Sequence, residues 1–339
     1  MSALGQTSLA PAESQASVSL GALAVSVIIP ALNEAKVIGR CLESITHLDF
    51  PRHRFEVIVV DNGSTDATIA IAESFRDQIT LRTLRKTGVH ISALRNLGAR
   101  EARGAILAFL DADCLAPRGW LADMTGLMST AGPGVVGAHY LLPDHSSWVG
   151  RTWHRYQEAP KSGDVSHVPA GDLIMRREDY LRVGGFDETI QTNEDYELCQ
   201  RARAAGMPVR AVPRVGVVHL GTAQSLRAFY CKQRWHGTHV MKVFLRDVFG
   251  SHNHKAVAFA WVTLLAATLI AGGTIWSFFD GPQLLPLAGL IALFAPPLSL
   301  SLRQVARRGK WSDFLPLTAL YLTYGVARAA ALLNLKNLF

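Results

Sequence analysis

The stretch AILAFLDADC, residues 105–114, runs through six apolar residues into two carboxylates, Asp111 and Asp113, two positions apart. Side chains alternate along a strand, so with extended backbone both acids project to one side and face one bound cation. Hard divalent ions such as magnesium take oxygen ligands and commonly share them with substrate phosphates. The plainer reading is a pair of strand-end acids bonding the amides of their own turn. Asp61 ends a second apolar run, FEVIVVD. In open α/β sheets ligands bind beyond the carboxyl ends of the strands, where these acids fall.

The elements that would position them follow from periodicity. VSVIIP reads as a strand, and EAKVIGRCLESI as a helix carrying Val37, Ile38, Cys41, Leu42 and Ile45 on one face, with Asn33 as its cap and Glu34 in its first turn. FEVIVVD, NGSTD and ATIAIAESF repeat strand, turn and helix; ITLRTL, ISALRNLGAREA and AILAFL continue the series. Strands alternating with helices specify a parallel α/β sheet, and continuous apolar runs specify strands covered on both faces. Beyond Trp120, GVVGAHYLL reads as a further strand, and the irregular segment from Pro143 to Pro169 as an acceptor loop. TNEDYELCQRARAAG reads as a helix opened by Thr192, with Asp195 three residues on in capping-box spacing. A short strand near VPRVGVVHL and a helix from about Ser225 to Val248 follow.

Only 18% of the 339 residues are charged against 49% hydrophobic, and the imbalance is concentrated in the C-terminal third. Residues 256–279 hold no charge and are long enough to cross a hydrocarbon core of about 30 Å. Residues 283–302 are a second, proline-broken span. Residues 314–333 are a third, weakened by Arg328, for which a helix lying in the membrane interface is the competing reading. Arg303, Arg307, Arg308 and Lys310 cluster after the second span, which places that loop and the N-terminal domain in the cytoplasm. The expected organisation is a flexible tail over 1–23, a catalytic domain over 24–250 and a multi-pass region of the inner or plasma membrane over 251–339.

The net charge of +7 does not indicate nucleic acid, because the basic residues lie in expected helices near the spans and form no aromatic-interleaved patch. Cys41, Cys114, Cys199 and Cys231 are widely spaced and read as reduced thiols. The first twenty residues lack the basic start and apolar run of a signal peptide. No G-x-x-x-x-G-K-S/T loop occurs, and no G-x-G-x-x-G follows the first strand, so a bound nucleotide would rely on acids and metal.

VSVIIPALNEA, VIVVDNGSTDAT, RNLGAREARGAILAFLDADC, GDLIMRREDYLRVGGFDE, NEDYELCQRARAAG and QRWHG resemble, in order, the blocks of family 2 glycosyltransferases, inverting enzymes of the glycosyltransferase A fold. The resemblance covers about Val25 to Gly237. It implies that Pro30, Ala31, Asn33 and Glu34 touch the nucleotide, that Asp61 bonds the base, and that Arg95 approaches the diphosphate. Asp111, Ala112 and Asp113 match the D-x-D, with Asp113 on a Mg2+ or Mn2+ ion and His219 as its companion. Gly171, Asp172 and Glu194 match blocks around the donor sugar and acceptor, although the family frequently has Asn where Asp172 stands. Asp195 matches the general base. Arg234 and Trp235 match a Q-x-x-R-W element in which Cys231 replaces Gln, a departure that argues against processive synthesis.

What the resemblance implies is transfer of a sugar from a nucleoside diphosphate donor to a lipid-linked or polysaccharide acceptor by single displacement. Such chemistry needs one carboxylate to take the acceptor proton and a metal to stabilise the leaving diphosphate. Two alternatives stand beside it: charging of polyprenyl phosphate with one sugar, and a non-catalytic nucleotide-binding scaffold of an envelope glycan assembly complex.

Overall fold

A computed structural model describes residues 24–130, 132, 134–156, 162–213, 216–238, 240, 244, 254–279, 284–308 and 310–333. The expected tail over 1–23 and the stretch from 245 to Val248 of the expected helix lie outside these residues.

Strands β1 (Val25–Ala31) and β2 (Phe55–Asp61) are buried at all seven positions, as continuous apolar runs require. They pair in parallel with Ala31 opposite Asp61. β3 (Leu81–Arg85) flanks β2, and β4 (Ile106–Leu110) pairs with β1 in parallel, so these four strands present their carboxyl ends together. Val27, Ile29, Val57 and Val59 feed one apolar cluster while Ile28, Ile58, Val60 and Phe109 feed another, so alternate residues hold layers on both sheet faces. Each such side chain contributes roughly 1.5–3 kcal/mol on burial.

The first layer takes Ile38, Cys41, Leu42 and Ile45 of α1 (Ile38–Thr46), beside α2 (Thr68–Glu73). The second takes Leu94 and Ala99 of α3 (Ile91–Glu101). α3 approaches β1 so closely that a Cβ on Gly98 would lie 2.4 Å from Ile28 Cγ2.

After β5 (Cys114–Leu115) and α4 (Trp120–Thr130) the chain adds β6 (Val135–Gly137), α5 (Trp148–Tyr156), β7 (Gly163–Asp164), β8 (Asp172–Arg176) and α6 (Arg177–Arg182). Then come α7 (Glu194–Ala204), β9 (Val209–Ala211), β10 (Val218–His219) and α8 (Leu226–His236). The main sheet runs β3-β2-β1-β4-β8-β6-β9-β7. It is the mostly parallel α/β sheet that the sequence led us to expect, with β8 antiparallel to β4 and Leu110 opposite Asp172. A small second sheet pairs β5 with β10 and sets His219 opposite Cys114.

Four local expectations are corrected. α1 begins at Ile38 without a side-chain cap, and Asn33 instead sits in the left-handed region at φ 56° with its Oδ1 accepting from Thr65 N–H. The backbone turns after Asp111, whose carbonyl accepts from Cys114 N–H at 3.0 Å, so strand alternation does not relate Asp111 to Asp113. The position before α7 is Asn193, at φ 67°; the Thr192 hydroxyl donates to Thr238 O, and no capping box forms. The strand expected over GVVGAHYLL stops at Gly137, and Tyr140 turns toward Asp111.

α9 (His254–Ser277), α10 (Leu284–Arg308) and α11 (Phe314–Leu332) are each long and apolar enough to cross a membrane. α9 and α10 pack as a hairpin and expose Trp261, Leu265, Ile275, Leu287 and Ile291. α11 differs, because both of its ends touch the α/β domain. Arg155 of α5 pairs with Asp313 just before it, Trp153 stacks on Tyr324 at 5.7 Å, and Phe229 of α8 packs with Leu320. Near its other end Arg328 Nη2 donates to Gln233 Oε1 at 3.2 Å, and a Cβ on Gly237 would lie 2.6 Å from Ala331 Cβ.

Candidate active site

Beyond the carboxyl ends of β1, β2 and β4 the acids gather. Asp61, buried, accepts from Gly63 N–H at 3.0 Å and from Ser64 N–H at 3.0 Å, and so shapes the loop after β2. Asn33 ties the loop after β1 to it through Thr65, and Glu34 N–H donates to Thr68 Oγ1 at 2.7 Å. Burial pushes the Glu34 carboxyl up to about 7, helped by Asp113, Asp111 and Asp66. Pro30 and Ala31 end β1 beside Val60 and Asp61.

Asp111 is held from two sides. Arg95 Nη2 donates to its Oδ1 at 2.7 Å and the Tyr140 hydroxyl to its Oδ2 at 3.0 Å. Burial alone would raise its pKa; the Arg95 and His219 charges and the two hydrogen bonds hold it below the usual carboxylate range. The other arm of Arg95 reaches Glu194 Oε1 at 2.7 Å, and the guanidinium lies 5.4 Å from the Phe186 ring centroid. Arg95 was expected at the diphosphate. It is instead 2% exposed, a bridge supporting Asp111 from behind, because α3 packs directly on the sheet.

Asp113 and His219 face each other, carboxylate to Nε2 at 3.6 Å. With Cys114 they form a cluster whose potential ligand atoms lie within 4.8 Å of one another. Burial drives the Cys114 thiol far above its ordinary value, so it stays protonated and donates to Asp113 at 3.9 Å. The oxygen and nitrogen of Asp113 and His219 suit a Mg2+ or Mn2+ ion, and His219 Nδ1 is buried without a hydrogen-bond partner. Gly221 closes on this pair: a Cβ there would lie 2.1 Å from Asp113 Oδ2. Gly171 does the same at Asp111 Oδ2, also at 2.1 Å. Ala112, between the two acids, is buried.

Asp195, in the first turn of α7, accepts from Tyr196 N–H at 2.7 Å and from the Ala170 amide. Burial raises it and its neighbour Glu194, with Arg95 opposing in both. The residues just before β8 and the first turn of α7 are thus brought against Asp111 of the D-x-D.

Asp172 does not join them. Its side chain is fully buried, accepting from Trp120 Nε1 at 2.8 Å and Val217 N–H at 3.3 Å, and burial pushes it to about 8. It sits beneath the site because antiparallel pairing with β4 turns it inward, whereas the backbone of Gly171 faces Asp111. Arg234 and Trp235 are exposed on α8, and among the described residues neither contacts the acids.

Two residues at the site escaped sequence reasoning. Lys232 Nζ donates to Gly221 O at 3.0 Å and lies in the field of Asp113 and Asp111; burial pulls its pKa down against them. Tyr140 bonds Asp111 and lies 4.6 Å, ring to ring, from His219. Lys232 stands within the CKQRWHG block two positions before Arg234, on the opposite side of the helix from it.

Comparison with known proteins adds an independent line. Residues 26–184 match the family model of glycosyl transferase family 2. The chain is 34% identical over 190 residues to glycosyltransferase AglE of Haloferax volcanii, covering 54% of this chain and 62% of that protein. It is 30% identical over 230 residues to the pre-mycofactocin glycosyltransferase of Mycobacterium tuberculosis, covering 63% of this chain and 46% of that one. The chain thus spans about half to three fifths of these relatives' lengths. Its fold matches that of the mannosyltransferase PcManGT of Pyrobaculum calidifontis, solved with GDP-Man and Mn2+, at a TM-score of 0.64 and 21% identity over 93% of this chain and 87% of the other. With the parallel sheet, the acids at its carboxyl edge and the family model agreeing over the same residues, residues 26–184 form a glycosyl transferase family 2 domain, and the fold is the glycosyltransferase A fold.

Proposed function

We propose that the protein is a membrane-anchored inverting glycosyltransferase moving a sugar from a nucleoside diphosphate donor to a lipid-linked or polysaccharide acceptor. The observation that carries this reading is the convergence of Asp111, Asp113 and Asp195 around one crevice, with Arg95 bridging Asp111 to the residue beside Asp195. The chain's likeness to glycosyltransferases, and to a fold neighbour solved with GDP-Man and Mn2+, supports the donor class.

The loops holding Pro30, Ala31, Asn33, Glu34 and Asp61 receive the nucleoside. Asp113 and His219 would hold a Mg2+ or Mn2+ ion, which neutralises charge on the diphosphate as it leaves. Lys232 adds a cation on the same side. Asp195 takes the proton from the acceptor hydroxyl as oxygen attacks the anomeric carbon and the carbon–oxygen bond to the diphosphate breaks. One carboxylate suffices, since single displacement forms no glycosyl-enzyme. Gly171 and Glu194 border the sugar, and Arg234 and Trp235 sit where α8 approaches the membrane. The basic end of α10, with Arg303, Arg307 and Arg308, and Lys310 after it face the cytoplasm in this reading, and the transferase domain with them.

The deciding experiment uses full-length protein in detergent with a radiolabelled nucleotide-sugar panel, Mn2+ and membrane lipid extract. Wild type transfers label to extractable glycan or lipid, while Asp195→Asn binds nucleotide normally and transfers about 10²–10⁴-fold more slowly. Near-normal turnover by Asp195→Asn overturns the assignment, and nucleotide binding by wild type without any transfer supports a scaffold instead.

A further inference from the structure

The seam between α8 and α11 holds a cation that nothing at the reaction centre uses. Arg328 gives one nitrogen to Gln233 and lies 4.8 Å from the Tyr324 ring centroid, but its Nε and Nη1 are closed off from solvent with no hydrogen-bond partner. Among the described residues no carboxylate lies within ion-pair distance of it. Buried donors left unmade are costly, so such a group calls for a partner.

Its surroundings name the sign of that partner. Lys232 and His236 lie one turn apart on α8, between the Asp113–His219 pair and Arg328. Burial, with the charges of Lys232, Arg328 and His219, holds His236 down to about 3, so this face is uniformly electropositive without its histidine being charged. A planar guanidinium with unpaired donors at Nε and Nη1 suits a phosphate.

The setting names the carrier. α11 starts and ends against the α/β domain, at Arg155 and at Gln233, so it runs along the domain and does not lead away from it. Such a helix lies at the level where the domain meets lipid. Val326 and Leu333, on either side of Arg328, are exposed apolar residues.

We infer that Arg328 binds the phosphate of a lipid-linked acceptor at the α8–α11 seam, with the prenyl-type tail along α11. This deepens the transferase reading and rests on it: the acceptor phosphate is fixed at Arg328, with Lys232 the next cation along α8 toward the metal pair.

The test measures binding of farnesyl phosphate, farnesol and inorganic phosphate to the full chain in detergent, without donor. Wild type is expected to bind farnesyl phosphate at least about tenfold tighter than either of the others. Arg328→Gln should bind it no better than farnesol, and Arg328→Lys should recover part of the preference. A diazirine-bearing farnesyl phosphate should label residues of α8 or α11 in wild type, a readout that needs no variant to fold. Equal affinity for phosphate and alcohol, undiminished preference in Arg328→Gln, tighter binding of inorganic phosphate than of the lipid, or labelling confined to other segments each overturn the site. Because no donor is present, loss of sugar transfer counts against the transferase reading alone, while failed phosphate discrimination with transfer intact counts against this site alone.

Discussion

Arg95 on α3 and Asp111 after β4 lie 2.7 Å apart, Nη2 to Oδ1, while the second arm of the same guanidinium holds Glu194 at 2.7 Å. One buried cation therefore neutralises two carboxylates that come from segments 83 residues apart. Removing one partner of a buried ion pair costs about 3–5 kcal/mol, since the other charge remains buried. Arg95→Met should lower the thermal midpoint by several degrees and abolish transfer. Adding Glu194→Gln to it should recover part of the stability, as a double-mutant cycle in detergent would reveal. An unchanged midpoint in Arg95→Met would show that the bridge is not structural.

Activity should rise with pH along a limb set by the Asp195–Glu194 pair. Burial raises Asp195, and a general base works only when deprotonated, so turnover falls as pH drops through a value above the ordinary aspartate range. Asp195→Asn should lose about 10²–10⁴ in kcat and, with it, this acid limb. A profile of kcat against pH, taken with saturating donor, reads both; an identical limb in a residually active Asn variant would assign it to another group.

Apolar runs ending in acids located Asp61, Asp111 and Asp113 at one sheet edge, because parallel pairing aligns carboxyl ends. The alternation argument for Asp111 and Asp113 failed because the backbone turns at Asp111. Asp172 looked like a site acid, yet the antiparallel direction of β8, which periodicity does not encode, turned it into the core. Lys232 and Tyr140 carried no motif. Their place depends on where α8 and the segment after β6 come to rest, a matter of tertiary packing.

Stability should reflect the buried Asp172 with the opposite sign from a salt-bridged acid. Its folded pKa, about 8, stands above the unfolded value of about 3.9, so the folded state binds more protons. That contribution is fully present below about pH 4 and is lost as pH rises toward 8. Asp172→Asn keeps an oxygen for Trp120 Nε1 and removes the titrating group, while its NH2 replaces the oxygen that accepts the long 3.3 Å bond from Val217 N–H. The variant should show a flatter dependence of Tm on pH from 4 to 8. At pH 8 it should gain about 1 kcal/mol over wild type, some 2–4 °C. Parallel profiles for the two proteins would show that Asp172 does not titrate in this window.

Gly221→Ala isolates the metal pair from the fold. The added methyl would lie 2.1 Å from Asp113 Oδ2 and 2.8 Å from His219 Cε1, so the carboxylate and imidazole must move apart. The Gly221 backbone is not in the left-handed region, so alanine introduces no strain of its own there. Mn2+-dependent nucleotide binding by calorimetry should weaken roughly 10–100-fold, the range found when the setting of metal ligands is disturbed. Thermal unfolding should change little. Gly126→Ala is the matched control: its Cβ on α4 meets nothing within 4 Å, and alanine favours a helix by about 1 kcal/mol over glycine. That variant should keep full Mn2+ affinity with an equal or higher midpoint. If Gly221→Ala binds Mn2+ and nucleotide as wild type does, then Asp113 and His219 do not act together on the metal.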